Sequence, residues 1–129
     1  PSSRPSRPPS RPSRPAFFTV YTGTMADRME RLLKLWESDP GGDADVPYMI
    51  AQEHAQRDEH AEALAWYDRA LEADPSYHYA QFHKARSLEA LERTPEAVAA
   101  LRAGLDAATA DRDEKAADDL ASYLDSLQA

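Results

Sequence analysis

The sequence contains no cysteine among its 129 residues. That excludes a disulfide framework, a thiolate nucleophile and a sulfur-ligated metal site, and it fits a reducing, cytoplasmic setting. Glycine is scarce, with four in the chain, and no GxSxG elbow, GxGxxG fingerprint or P-loop is formed from them. No apolar run approaches the ~20 residues that a membrane-spanning helix needs. Acidic residues are missing from residues 1–24, although the chain as a whole has 23 of them against 15 Lys and Arg and a formal charge of −8.

Residues 1–24 are a different material from the rest. They repeat Ser-Arg-Pro, carry Arg4, Arg7, Arg11 and Arg14, and show no apolar periodicity. Proline removes backbone donors and breaks helices and sheets, so this segment reads as a disordered, partly polyproline-like tail or as an upstream extension ahead of Met25. A basic arm for nucleic acid or an acidic partner is its alternative reading. So much proline does not suit an amphipathic transit peptide, and Phe17 to Tyr21 is too short for a secretory core. With four of the 15 basic residues and none of the 23 acids in the tail, the remainder carries a formal −12. An acidic body repels phosphate backbones, so nucleic-acid binding by the domain is not expected.

The remainder repeats itself. Residues 44–77 and 78–111 align at an offset of 34, pairing Ala51 with Ala85, Ala63 with Ala97, Tyr67 with Leu101, Ala70 with Gly104 and Leu71 with Leu105. Small residues recur where helices cross closely, and large ones where a helix fills its neighbour's groove. This pattern, with Asp74-Pro75 closing the first unit, resembles the tetratricopeptide repeat (TPR) family, whose units are helical hairpins of ~34 residues. Three places depart from the family pattern: Pro47 and Gln81 stand where an early Trp is usual, Thr109 stands where the closing Pro would be, and His54 replaces an aromatic residue. The resemblance implies an all-α solenoid of about six antiparallel helices over residues 25–129. Residues 25–40 are a half-repeat, 44–77 repeat one, 78–111 repeat two and 112–129 a capping helix.

The apolar spacing agrees. Met25, Met29, Leu32, Leu33 and Trp36 form one helical face over 25–38, with Thr24 as cap and Asp27 as the acid of a short capping box. Helices are expected over 46–56, 60–73, 77–91, 95–108 and 112–127. Asp58 is expected to cap the second of these, and Thr94 to cap the fourth ahead of Pro95. Ala116, Leu120, Tyr123, Leu124 and Leu127 give the last helix an apolar stripe, and its other side is acidic. Two full repeats fall short of the ~3 that stabilise such arrays, so Trp36 and Tyr123 on the flanking helices, or a homodimer, are expected to add burial.

Catalytic and metal-binding patterns are not evident. His54 and His60 are six apart and His78 and His83 five apart, not the three or four that put two ligands on one helical face. His54 is read as a core residue and the others as surface. His54 with Asp58 has spacing four, but Asp58 is assigned to capping. No HExxH occurs, and no carboxylate pair stands out. Neither a cofactor nor enzymatic activity is expected.

The resemblance does imply a binding surface, because in TPR folds the first helix of each pair lines a concave groove. The groove positions are Tyr48, Gln52 and Gln56 in repeat one and Tyr79, Phe82, Arg86 and Glu89 in repeat two. Aromatic rings and an arginine are frequent anchors of partners. The Lys and Asn places of chaperone-clamping members hold Tyr48, Gln52 and His83, so an extended peptide or a helix is implied rather than a C-terminal carboxylate. The expected function is a non-enzymatic protein-interaction module. The alternatives are a module that dimerises through its terminal helices and a regulatory piece of a larger complex.

Overall fold

The computed structural model describes residues 28–129, so Thr24, Met25 and Asp27, along with the whole tail, lie outside the described residues. The chain divides into two compact units, Pro1–Arg31 and Leu32–Ala129. Of the first, residues 28–31 are described; they are helical, with Met29 buried. Helical backbone over residues 28–38 is α1, followed by α2 (Asp45–Gln56), α3 (His60–Ala73), α4 (His78–Ala90), α5 (Thr94–Ala110) and α6 (Glu114–Gln128). No strand occurs among the described residues.

From α2 onward each helix packs on the next in sequence. Beyond nearest neighbours, α2 touches α4 and α4 touches α6, whereas α3 and α5 do not meet. Two layers result: α2, α4 and α6 form one side, and α3 and α5 the other. Alternate helices come together on the inside of a curved array and spread on its outside, so α2, α4 and α6 line the inner face.

The repeat pairs take matching environments. Ala51, Ala85, Ala63, Ala97, Tyr67, Leu101 and Ala70 are all buried, as is Gly104. Leu71 and Leu105 are half-buried against the two core clusters. Gly104 shows why the position must be small. A β-carbon there would lie 2.9 Å from Gln81 Cβ and 3.1 Å from Leu120 Cδ2, so α5 approaches both α4 and α6 through a bare backbone. Ile50, Tyr67, Leu101 and Leu120 are the bulky side chains filling the spaces between these contacts.

Both flanking aromatics are half-buried and pack on aromatic rings of the array. The Trp36 ring meets Trp66 edge-on at 5.3 Å, with the Arg69 guanidinium over Trp66 at 4.2 Å. Tyr123 meets Phe82 edge-on at 5.4 Å. The α6 stripe is as expected, with Ala116, Leu120 and Leu124 buried.

The helix ends differ from the sequence reading in an instructive way. Asp58 does not cap α3. It has φ of 60°, as do Glu92 (60°) and Arg112 (59°). Each follows a helix and closes it with the same bond pair. Glu59, Arg93 and Asp113 donate their N–H to the carbonyls of His54, Leu88 and Ala108, while Asp58, Glu92 and Arg112 donate to Ala55, Glu89 and Thr109. This is the Schellman ending, which satisfies two orphan carbonyls but requires a left-handed residue. Asp58 and Glu92 stand 34 residues apart, so the turn repeats with the helices.

Thr94 lies inside the first turn of α5, and the preceding Arg93 is the cap residue. The Arg93 guanidinium instead forms a two-pronged bond to Glu96, at 2.7 and 2.6 Å. The last helix begins at Glu114 rather than 112, because Asp113 is its true cap and accepts the N–H of Ala116 at 3.1 Å. Pro47 is buried in the first turn of α2, where its missing N–H would have had no intrahelical partner.

A β-carbon in the left-handed region raises the energy by about 1–2 kcal/mol, partly offset by the greater chain entropy that glycine loses on folding. Glu92→Gly is therefore expected to stabilise the protein by about 0.5–1 kcal/mol in urea unfolding. A variant less stable than the parent would show that the Glu92 side chain contributes more than the strain removes.

Candidate partner-binding cleft

Three helices converge on a cleft of about 310 Å³. Its walls are Gln52, Ala55 and Gln56 from α2, His60 and Tyr67 from α3, and His83, Arg86 and Ser87 from α4. None of these is acidic, although the chain carries 23 acids. The spacing of four between Gln52 and Gln56, and of three and four among His83, Arg86 and Ser87, sets each group on one helical face.

The seven groove positions expected from sequence separate into three sets. Gln52, Gln56 and Arg86 line the cleft. Tyr48, Phe82 and Glu89 are held by neighbours. Tyr48 is half-buried against Tyr77 at 4.8 Å, His83 at 5.8 Å and Tyr67 at 6.1 Å, and its hydroxyl accepts from Gln52 Nε2 at 3.1 Å. Phe82 is held between His83 and Tyr123, and Glu89 accepts the Tyr123 hydroxyl at 2.6 Å. Tyr79 stands exposed at the start of α4, its ring 4.6 Å from His78.

Two tyrosine–carboxylate bonds brace this face. The Tyr77 hydroxyl, at the start of α4, donates to Asp45 at the start of α2 at 2.5 Å, and Tyr123 of α6 donates to Glu89 of α4. Burial, followed by the carboxylate bond, pushes each of these phenols above its ordinary range, so both remain donors at neutral pH.

The histidines depart from the sequence reading. His54 is not a core filler: its Nδ1 is 2.8 Å from Glu59 Oε1 and its side chain is 20% exposed. The other three are not simple surface residues. His60 Nδ1 lies 3.0 Å from the hydroxyl of the buried Ser87. His78 sits 3.2 Å from Asp113 and 3.7 Å from Asp111. His83 lines the cleft, and burial followed by the nearby Arg86 guanidinium lowers its pKa. Sequence reasoning missed Tyr67, His60, His83 and Ser87 as cleft residues. His83 carried a signal, since it stands in a clamp place of the family, but His60 and Tyr67 come from the second helix of the pair and enter only through packing.

Among the described residues no group of three His, Cys, Asp or Glu is placed to hold a metal. None of their helices is long and apolar enough to cross a membrane.

His83 gives a stability signature. Its folded pKa lies below the ordinary 6.5, so the unfolded chain binds its proton first as pH falls. The stability that depends on neutral His83 is present above 6.5 and is lost as pH falls towards the folded pKa. Between about pH 7 and pH 5, urea unfolding of the parent should weaken relative to His83→Gln. A constant difference between the two would show that His83 titrates alike in both states.

The sequence profile of the tetratricopeptide repeat family matches residues 26–78 and 48–113. Among solved structures, a tetratricopeptide repeat domain protein from Salinibacter ruber is similar with a TM-score of 0.62 and 28% identity, over 67% of this chain and 96% of that one. The translocator chaperone SycD of type III secretion, from Yersinia enterocolitica, superposes with a TM-score of 0.75 at 17% identity, over 88% of this chain and 78% of its own. PcrH, solved in complex with the chaperone-binding region of PopD, gives 0.75 at 18% identity, over 92% and 90%. No curated protein matches the sequence significantly. The offset pairs, the two helical layers and the profile match agree, and the chain is a member of the tetratricopeptide repeat family.

Proposed function

We propose that this chain is a non-enzymatic protein-interaction module that receives a peptide or a helix of a partner protein in the concave groove formed by α2, α4 and α6. The observation that carries the reading is the cleft at the junction of the two full repeats, where Gln52, Gln56 and Arg86 present polar groups from two inner helices. TPR arrays act as extended binding scaffolds because repetition exposes equivalent positions side by side. The solved complex of PcrH with a segment of PopD supports this use of the fold.

The anchoring set is Gln52, Gln56 and Arg86 in the cleft, with Tyr79 exposed at the start of α4. Tyr48, Phe82 and Glu89 act in this reading as packing support for the inner helices, since their rings and carboxylate are already engaged. The formal −12 of residues 25–129 steers in a segment with basic flanks, so association should slow with added salt.

A photoreactive residue placed at Gln56 tests the assignment, with one at Arg102 of α5 on the other layer as control. Gln56 should give a discrete protein adduct in native extract, lost when Arg86→Glu is added, and Arg102 should not. Adducts from Arg102 alone would move the interaction to the outer layer.

A further inference from the structure

Several hydrogen-bond donors of the cleft have no acceptor among the described residues. Tyr67 is 1% exposed and lines the cleft, and its hydroxyl makes no hydrogen bond to a described residue. Burial, reinforced by Tyr48, keeps that phenol protonated and therefore a donor. Arg86 makes no salt bridge to a described residue, unlike Lys84 on the same helix, which holds Asp68 at 2.7 Å. Among the described residues His83 makes ring contacts, with Tyr48 and Phe82, and no side-chain hydrogen bond. Gln52 donates to Tyr48, and His60 is bonded to Ser87. In a chain with a formal charge of −8, a cleft with an arginine, two histidines, a free phenol and no carboxylate in its lining is a local reversal of charge.

We propose that this cleft accepts the carboxylate of an Asp or Glu side chain within the partner segment, bonded by Arg86 and Tyr67, and that His83 takes up a proton when it binds. The inference rests on the groove reading above and specifies the chemistry of the segment: one acidic anchor with basic flanks. The flanks meet the acidic body, and the anchor meets the cleft.

The proton uptake follows from what faces His83. Tyr48 of α2 and Tyr67 of α3 are neutral, His60 of α3 lines the same cleft, and Arg86 of α4 is the one permanent cation in the lining. The Asp58 carboxylate is 3.7 Å from His60 Nε2, but its side chain is 95% exposed to solvent. A carboxylate entering the cleft supplies the negative neighbour that the free site lacks and favours imidazolium. Binding should therefore tighten as pH falls, while the anchor stays ionised.

The test begins with a random 12-residue display library selected on the full chain. Enriched sequences are synthesised with amidated C-termini and titrated by calorimetry and by the imidazole NMR signals of His83. The expected result is one fixed acidic position among basic residues. Glu→Gln there should weaken binding at least about tenfold, the scale of a charge-assisted hydrogen bond. Arg86→Gln should cost the Glu peptide a similar factor and the Gln peptide little. Lys84→Gln, which removes the same charge outside the cleft, should change neither. Affinity should rise several-fold between about pH 7.5 and pH 6, with the His83 signal moving to the protonated form.

Enriched peptides with no acidic preference would overturn this inference and leave the groove reading standing. Binding that disappears on amidation would assign the cleft to a chain terminus and overturn the side-chain assignment. A His83 response to acetate or phosphate alone, with no peptide enriched, would mean that a free anion occupies the cleft. Failure to enrich any peptide would overturn both readings.

Discussion

Ala51, Ala63, Ala70, Ala80, Ala85, Ala97, Ala108 and Ala116 are all completely buried, and all of them lie in the cores packed between the helices. A methyl group adds little hydrophobic energy of its own. Its importance is geometric: it lets two backbones come near enough for Ile50, Tyr67, Leu101 and Leu120 to fill the holes on either side. At Gly104 even a methyl group would collide with Gln81 Cβ. In a solenoid each unit is stabilised by its neighbours and by little else, so this spacing governs cohesion along the array. It also governs the cleft, because α2, α3 and α4 contribute its walls and are held together through Ala51, Ala63 and Ala80.

Such a contact is legible in sequence because it recurs. The offset of 34 lines up small residues with small ones, and the structure gives each pair the same burial. Helices α2 to α6 follow the apolar spacing to within two residues at their ends. The turns were harder to read. Asp58 has the composition of an N-cap, and local chemistry alone favours that role. The Schellman ending of α2 claims it first, because the carbonyls of His54 and Ala55 need donors. Aligning the turns as well as the helices would have exposed the equivalence of Asp58 and Glu92, two residues of different length whose shared property is the backbone they adopt.

The site was legible only in part, for a related reason. Sequence periodicity finds residues on the face of one helix, and it placed Gln52, Gln56 and Arg86 together. It does not say which exposed-face aromatics will be consumed by packing. Tyr48 stacks among Tyr67, Tyr77 and His83, and Phe82 packs on Tyr123, so both rings are engaged in packing rather than lining the cleft. Nor does it reveal that His60 and Tyr67, on a second-layer helix, reach into the space between two inner ones. The electrostatic character of the cleft, opposite to that of the chain, emerges once all three helices are in place.

Ala63 is the most direct place to test the dependence of this architecture on close helix contact, since it is fully buried between α2 and α3 and contributes no polar group. Urea unfolding of Ala63→Leu should show a loss of about 1–3 kcal/mol, the usual consequence of forcing extra methylenes into a packed site. Parent-level stability would mean that the helices can separate freely at this position, and that the small-residue contacts do not set the spacing of the array.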